Sequence, residues 1–462
     1  MRSLGTVRAL VGVGAGRYRE RMDITKLRES TSGTVVAEGE EGWDAARLFH
    51  SGIGEPAAVV RVADVADVQA ALAYAVATVL PVDVRSGGHS AWGEGRGALT
   101  IDLGDLDEVA VDGDLVRVGG GATWGRIATV LSAHGLGLSS GDTASVGVGG
   151  LTLGGGIGWM TRAWGLACDQ LVGVQLVTAG GDVVEATDAT HSELVWALRG
   201  GGGNFGVVTR FDFRAHPLDG VVFTTYRVEG DARPVLAGLA DVLRTAPREL
   251  TVTFMDVPAM DPSAPAGATL SACWIGTDED AARAALAPLA ETGGLVEVES
   301  RATAYPDILM DAPPFDPEAP MPGFVGGNTL LVDLDADVID RLVGFRESSD
   351  MSVLFLRSVG GAFGDVPQDE SAFPARRATW FAMAGGFDIP GLVDDAERAR
   401  LSALWADIEA RGAGVYGNFT MSTDPDWVRR MFPPATVARL AAVKREYDPG
   451  NMFSRNHNIA PA

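Results

Sequence analysis

Residues 81–93, PVDVRSGGHSAWG, run from an alternating apolar segment into a turn that sets His89 directly behind Gly87 and Gly88. Val82 and Val84 alternate with Asp83 and Arg85, the period of a half-buried strand. A glycine pair at the end of such a strand lets the backbone approach a ligand or another chain segment closely. One of only six histidines therefore sits on a backbone shaped for close approach. Outward from this turn, AAVVRV (57–62) reads as a strand and ADVADVQAALAYAVATV (63–79) as a helix with apolar residues at helical spacing, so the region opens as a βαβ unit. LTIDL (99–103) and LVRVGGG (115–121) continue as short strands, and TWGRIATVLSAHG (123–135) reads as a helix capped by Thr123 and ended by Gly135.

At 462 residues the chain exceeds what one compact core usually holds, so two domains, or one interrupted by another, are expected. Hydrophobic residues at 46% and charged residues at 21% fit a soluble globular protein, and no run of about 20 apolar residues signals a membrane span. The net charge of −24, with no basic block, argues against a nucleic-acid partner and reads as a solubility feature. Cys168 and Cys273 are the only cysteines, and the histidines show no metal-ligand spacing, so neither a disulfide framework nor a metal centre is expected. The basic, mildly apolar start lacks a clean cleavage site; it reads as a frayed leader of a cytoplasmic protein, with secretion left open. Its GVGAGR carries Arg17 where a dinucleotide fingerprint needs a third glycine.

Residues 141–158, GDTASVGVGGLTLGGGIG, hold too many glycines for a helix or strand interior, yet interleave Val146, Val148, Leu151, Leu153 and Ile157, which can be buried. That mixture fits a backbone shaped around a ligand better than a linker. LVGVQLVTAGGDVVEAT (171–187) is a hairpin turned at Gly180, Gly181 and Asp182, and residues 191–216 give a helix, a glycine turn and an alternating strand. From about 219, strands alternate with helices, so a second α+β unit is expected over 219–410. Two glycine loops, 86–88 and 141–158, without a P-loop lysine, can offer backbone N–H groups to a pyrophosphate, which points to a dinucleotide cofactor.

VRSGGHS (84–90), SVGVGGLTLGGGIGWMTRAWGLACDQL (145–171), LVWALRGGGGNFGVVTRF (194–211) and YDPGNMFSRNHNI (447–459) resemble, in order, the signatures of the berberine bridge enzyme-like FAD-linked oxidases of the vanillyl-alcohol oxidase superfamily. The resemblance implies an α+β fold: a PCMH-type FAD-binding domain (51–218) after a leader and first helix (1–50), interrupted by a substrate domain with an antiparallel sheet (219–410) and completed by 411–462. It implies that His89 is bonded through its ring to the FAD 8α-methyl. Many members carry a second, cysteinyl bond; Thr143 stands at that position here, which implies a single bond. Cofactor contacts are carried over to Arg85, Ser86, Gly87, Gly88, His89 and Ser90 in the first loop. In the second they fall on Gly141, Asp142, Thr143, Ser145, Val146, Gly149, Gly150, Gly154, Gly156 and Trp159. Gly206, Val207, Asn456 and Asn458 complete the set.

In GVYGNFT (414–420), Tyr416 and Asn418 match the family's Tyr-x-Asn pattern, which implies a tyrosine base facing the substrate and an asparagine ordering the site. A free tyrosine has a pKa of about 10, so this role needs a cation or strong donors nearby. Val146 is small, which in the family fits oxygen access and an oxidase producing hydrogen peroxide. Phe324, Asn328, Trp380, Phe381 and Met383 stand where relatives carry polar groups, so an apolar pocket for a hydrophobic or aromatic alcohol or amine is expected. A dehydrogenase or cyclase with another acceptor, and a flavin-binding protein without catalysis, stay open as alternatives. A monomer or homodimer acting on a small molecule is expected.

Overall fold

The computed structural model describes residues 23–91, 93–258, 267–311, 322–420 and 422–462; the leader and its GVGAGR lie outside the described residues. Strands β1 (Thr34–Ala37), β2 (Ala58–Arg61), β3 (Val82–Arg85) and β4 (Leu99–Asp102) form a sheet in the order β1-β2-β4-β3. β2 and β3 both run parallel to β4, so the βαβ unit is present but β4 lies between its two strands. The connecting helix α1 (Val65–Thr78) begins at Asp64, whose carboxylate accepts the Asp67 N–H at 2.9 Å. It buries Val68, Ala71, Leu72 and Ala75 against Val60, Leu99 and Ile101. Asp67 is buried and accepts the N–H groups of Ser32, Gly33 and Ala63, fastening the edge strand to the helix start.

A second, antiparallel sheet holds β5 (Val109–Asp112), β6 (Leu115–Gly119), β7 (Leu171–Val177), β8 (Val183–Thr187) and β9 (Val207–Arg214) in the order β8-β7-β9-β6-β5. The β7–β8 hairpin turns through Gly181 at φ +87°. Helix α2 (Trp124–Ser132) is capped by the Thr123 hydroxyl, and Gly135 follows its end at φ +66°. The stretch 141–158 departs from its reading, because helix α3 (Val148–Leu153) forms inside it. Of the two glycines inside it, Gly149 packs closely, a Cβ there coming 3.2 Å from Ser86 Cβ, whereas Gly150 has open space beside it; a Cβ on Gly147, the cap residue, would fall 2.1 Å from Gly87 N.

Helix α4 (Ser192–Leu198) precedes β9, and residues 221–388 build a seven-stranded antiparallel sheet from β10 (Val221–Val228), β11 (Leu250–Val257), β12 (Gly267–Ile275), β13 (Leu295–Thr303), β14 (Gly323–Leu331), β15 (Ser352–Ser358) and β16 (Trp380–Asp388). Their order is β13-β10-β12-β11-β15-β16-β14. Helices α5 (Ala232–Leu243), α6 (Glu279–Ala290), α7 (Ala336–Glu347) and α8 (Asp395–Glu409) cover one face, burying Leu239, Leu289, Leu342 and Trp405 on Phe254, Leu354, Trp380 and Ala382. Strand alternation sends Phe355, Arg357, Phe381 and Met383 to the other face.

The chain then returns. Helix α9 (Pro434–Tyr447) packs Leu440, Ala441 and Val443 into the core that holds Leu194, Trp196, Phe211 and Phe213. Within it Lys444, with no exposed surface, donates to Asn204 O at 2.7 Å and Phe453 O at 2.9 Å and pairs with buried Asp448 at 2.7 Å. Asp448 in turn accepts the N–H groups of Met452 and Phe453. Lys444→Ala leaves that carboxylate without its cation and should destabilise the fold by about 3–5 kcal/mol, read as a lowered denaturant midpoint; a loss below about 1 kcal/mol, the scale of a surface pair, would contradict this role.

Candidate functional site

One cavity of about 580 Å³ runs between the two smaller sheets, the return segment and the open face of the seven-stranded sheet. On one wall of it two loops cross in close contact. A Cβ on Gly87 would fall 2.2 Å from Gly147 N, so neither position admits a side chain. The crossing is pinned by Ser86, whose hydroxyl donates to Gly120 O at 2.7 Å and accepts the Gly149 N–H at 3.2 Å. Beyond it, Gly88 takes φ +69°. Among the described residues, the backbone N–H groups of Gly87, Gly88, His89 and Ser90 donate to no protein acceptor. Four donors left open on a cavity wall form a nest of the kind that holds phosphate. Asn456 Oδ1, on the same cavity, is buried without a partner. These features fit a dinucleotide cofactor.

His89 lies on this wall. Its Nε2 is 3.0 Å from the Ser145 hydroxyl, and Nδ1 has no protein partner among the described residues. Burial first, and then neighbouring His50, push the imidazole down to about 4, against a smaller opposing effect of Ser145. The ring is therefore neutral at pH 7.

Tyr416 is buried among Phe373, Phe381 and Phe419. Its hydroxyl accepts the Gly156 N–H at 3.1 Å and Asn418 Nδ2–H at 3.0 Å. Asn328 holds the Tyr416 backbone, accepting its N–H at 2.8 Å and donating to its carbonyl at 3.1 Å. Burial pushes the phenol up to about 12, although both donors act in the opposite direction. The donors that a base role requires are present; a cation beside the hydroxyl is not among its contacts.

Of the residues carried over in sequence, Arg85, Ser86, Gly87, Gly88, His89, Ser90, Gly141, Asp142, Thr143, Val146, Gly149, Gly150, Gly154, Gly206, Tyr416, Asn418 and Asn456 line the cavity. Ser145 and Gly156 stand behind it, acting through His89 and Tyr416. Trp159 lies beneath the Arg357 guanidinium at 4.4 Å, Val207 is buried in the core beneath the four-stranded sheet, and Asn458 is not on the wall. The expected apolar pocket residues are corrected more heavily. Phe381 lines the cavity, but Trp380 points to the helices on the opposite face, Phe324 packs on Phe387, Met383 is packed beside the site without lining it, and Asn328 serves as a brace. Adjacent residues of one strand cannot share a face, so Trp380 and Phe381 had to separate.

Several wall residues carried no motif. Phe355 and Arg357 come from β15, and Arg357 donates from Nη1 to Asp142 at 2.7 Å and from Nε to Thr253 at 2.9 Å. The phase of SVLFLRS (352–358) is the available signal, since it places Phe355 and Arg357 opposite Leu354 and Leu356. Met310 accepts the Ala144 N–H and donates to Asp142 O, so Thr143 is held by a segment more than 160 positions on. Both cysteines are fully buried away from the cavity. No cluster able to hold a metal ion occurs among the described residues, and no helix among them is long and apolar enough to cross a membrane.

The open amides of the glycine loops, His89 on the wall beside them and the antiparallel sheet over both fit the site of a dinucleotide-dependent enzyme. Residues 56–187 match the FAD binding domain family and residues 415–460 the berberine and berberine-like family. (R)-6-hydroxynicotine oxidase of Paenarthrobacter nicotinovorans is 30% identical over 94% of this chain and 97% of its own. The crystal structure of 6-hydroxy-D-nicotine oxidase from Arthrobacter nicotinovorans superposes with a TM-score of 0.79 at 26% identity, covering 94% of this chain and 99% of that one. Glucooligosaccharide oxidase from Acremonium strictum, which carries a 6-S-cysteinyl, 8α-N1-histidyl FAD, shares the fold at a TM-score of 0.81 and 24% identity over 95% and 99% of the two chains. The chain belongs to the berberine bridge enzyme-like FAD-linked oxidoreductases.

The loop crossing gives a direct test. Gly147→Ala should leave a folded chain that retains less than about a tenth of the wild-type flavin, because the added Cβ overlaps Gly87 N; flavin absorbance per chain after purification reads this, and wild-type content would show that the loops can part.

Proposed function

We propose that the protein is an oxidase that holds FAD by a single bond to His89 and oxidises an alcohol or amine with an apolar, aromatic body, passing electrons to dioxygen and releasing hydrogen peroxide. In this reading residues 51–218 and 411–462 bind the cofactor, after a start over 1–50, and 219–410 roof the substrate. The observation that carries it is His89: neutral at pH 7, on the wall beside open backbone donors, with Nε2 engaged by Ser145 and Nδ1 left for a bond. Thr143 at the place of the second anchor, and both cysteines buried elsewhere, support a single link. Bound FAD supplies the two-electron acceptor.

The substrate class is supported by Phe355, Phe381, Phe419 and Met310 on the wall and by the likeness to a nicotine oxidase. Val146, small and on the same wall, leaves room for dioxygen. Tyr416 takes the proton of the reacting hydroxyl or amine, and the Gly156 and Asn418 donors offset part of what burial costs the phenolate.

With the phenol near 12, its ionised fraction rises with pH throughout the neutral and mildly alkaline range. An anaerobic screen of aromatic alcohols and amines, followed by flavin bleaching, finds the substrate. Bleaching should then quicken from about pH 7 to 10 in the wild type, whereas Tyr416→Phe should be slower by about 10²- to 10⁴-fold and lose the rise, at unchanged flavin content. A Tyr416→Phe rate within about twofold would remove the base role. His89→Ala should release its flavin on acid precipitation where the wild type retains it; equal retention would place the bond elsewhere.

A further inference from the structure

We propose that His50 is a positioning residue for the cofactor bond: its ring holds the His89 imidazole in the plane from which Nδ1 reaches the cofactor. This rests on His89 as the attachment point. The two imidazoles stack with centroids 4.4 Å apart and planes 18° from parallel, and both line the cavity. His50 sits at the tip of a short ribbon, Leu48–Phe49 with Gly52–Ile53, that is clamped to the histidine loop. Its backbone N–H donates to Gly88 O at 2.8 Å, and Arg85 Nη1 donates to Leu48 O at 3.0 Å. Among the described residues the His50 ring makes no hydrogen bond, so its contact with His89 is the stack.

The arrangement answers a geometric need. His89 follows two glycines, one at φ +69°, so the backbone alone does not fix its ring. The Ser145 hydroxyl holds one ring atom but leaves rotation about that hydrogen bond; a flat partner against the ring face removes it. Bond formation needs the Nδ1 lone pair, which lies in the ring plane, aimed at the reacting carbon, and fixing that plane in advance raises the rate without altering the chemistry. In the step itself His89 gives up its ring proton and the 8α-methyl one hydrogen as the C–N bond forms. Bound FAD would supply the route by which the two hydrogens and the electron pair reach dioxygen, which would leave as hydrogen peroxide.

The test uses purified holoproteins and two measurements, total flavin per chain and the fraction that stays with the protein in acid. His50→Ala and His50→Leu, which lack a flat ring, should bind FAD as the wild type does but show an acid-stable fraction lower by at least about fivefold, while His50→Phe, which keeps a stacking face, should retain most of it. A wild-type fraction in His50→Ala or His50→Leu, or a fall in His50→Phe as deep as theirs, would overturn the role of the stack. A wild type that itself releases all its flavin into acid would instead remove the bond at His89, and the role of His50 with it.

Discussion

The site depends on two backbones passing where neither can carry a side chain. Gly87 and Gly147 lie so close that a Cβ on either would meet the other's amide nitrogen near 2 Å, inside any tolerable contact. Because the loops touch as bare backbone, Ser86 can bridge to Gly120 and Gly149, and the amides from Gly87 to Ser90 are left facing the cavity with no acceptor among the described residues. Unsatisfied donors of this kind are costly in a folded chain unless a ligand or water receives them. The glycines thus set both the shape of the cradle and its appetite for an anion.

The seven-stranded sheet is joined to this cradle both by apolar clusters, one holding Leu166, Phe373, Phe381 and Tyr416 and another Trp159, Val221 and Tyr305, and by buried charged and polar groups. Arg357 reaches from β15 to Asp142, Arg376 pairs with Asp169 with both side chains buried, and Arg162 donates to the carbonyls of Leu250 and Val359. Asn328 on β14 braces Tyr416 and Phe419. Each link is directional, so together with the apolar clusters these contacts hold the sheet in a defined register over the cavity. Breaking one such buried pair strands a charge, which makes the arrangement rigid as well as specific.

Burial acts on the two ring side chains at the site with opposite sign and a common result. It lowers the His89 imidazole to about 4 and raises the Tyr416 phenol to about 12, so both are uncharged at pH 7. A neutral imidazole has a lone pair free for bonding, and at the phenol the Gly156 and Asn418 donors oppose part of the effect of burial.

The sequence by itself determined the elements with strong local signals: the strand–helix–strand start, the capped helix at Thr123, the hairpin at Gly181, and the glycine loops around His89 and Val146. Through the resemblance that its ordered motifs carry, it also pointed to part of the cavity wall, among them Arg85 to Ser90, Val146, Gly149, Gly150 and Gly206. It misread 141–158, where a six-residue helix forms despite Gly149 and Gly150, its start set by the close approach of Gly147 to Gly87. Only the tertiary structure decided which residues of the seven-stranded sheet face the cavity. Trp380 and Phe381 are equally apolar in sequence, and their assignment to opposite faces depends on strand phase and on which face the helices cover. It alone set Arg357 against Asp142, Met310 against Thr143 and His50 against His89, since these contacts join segments distant in the chain and leave no local period to read.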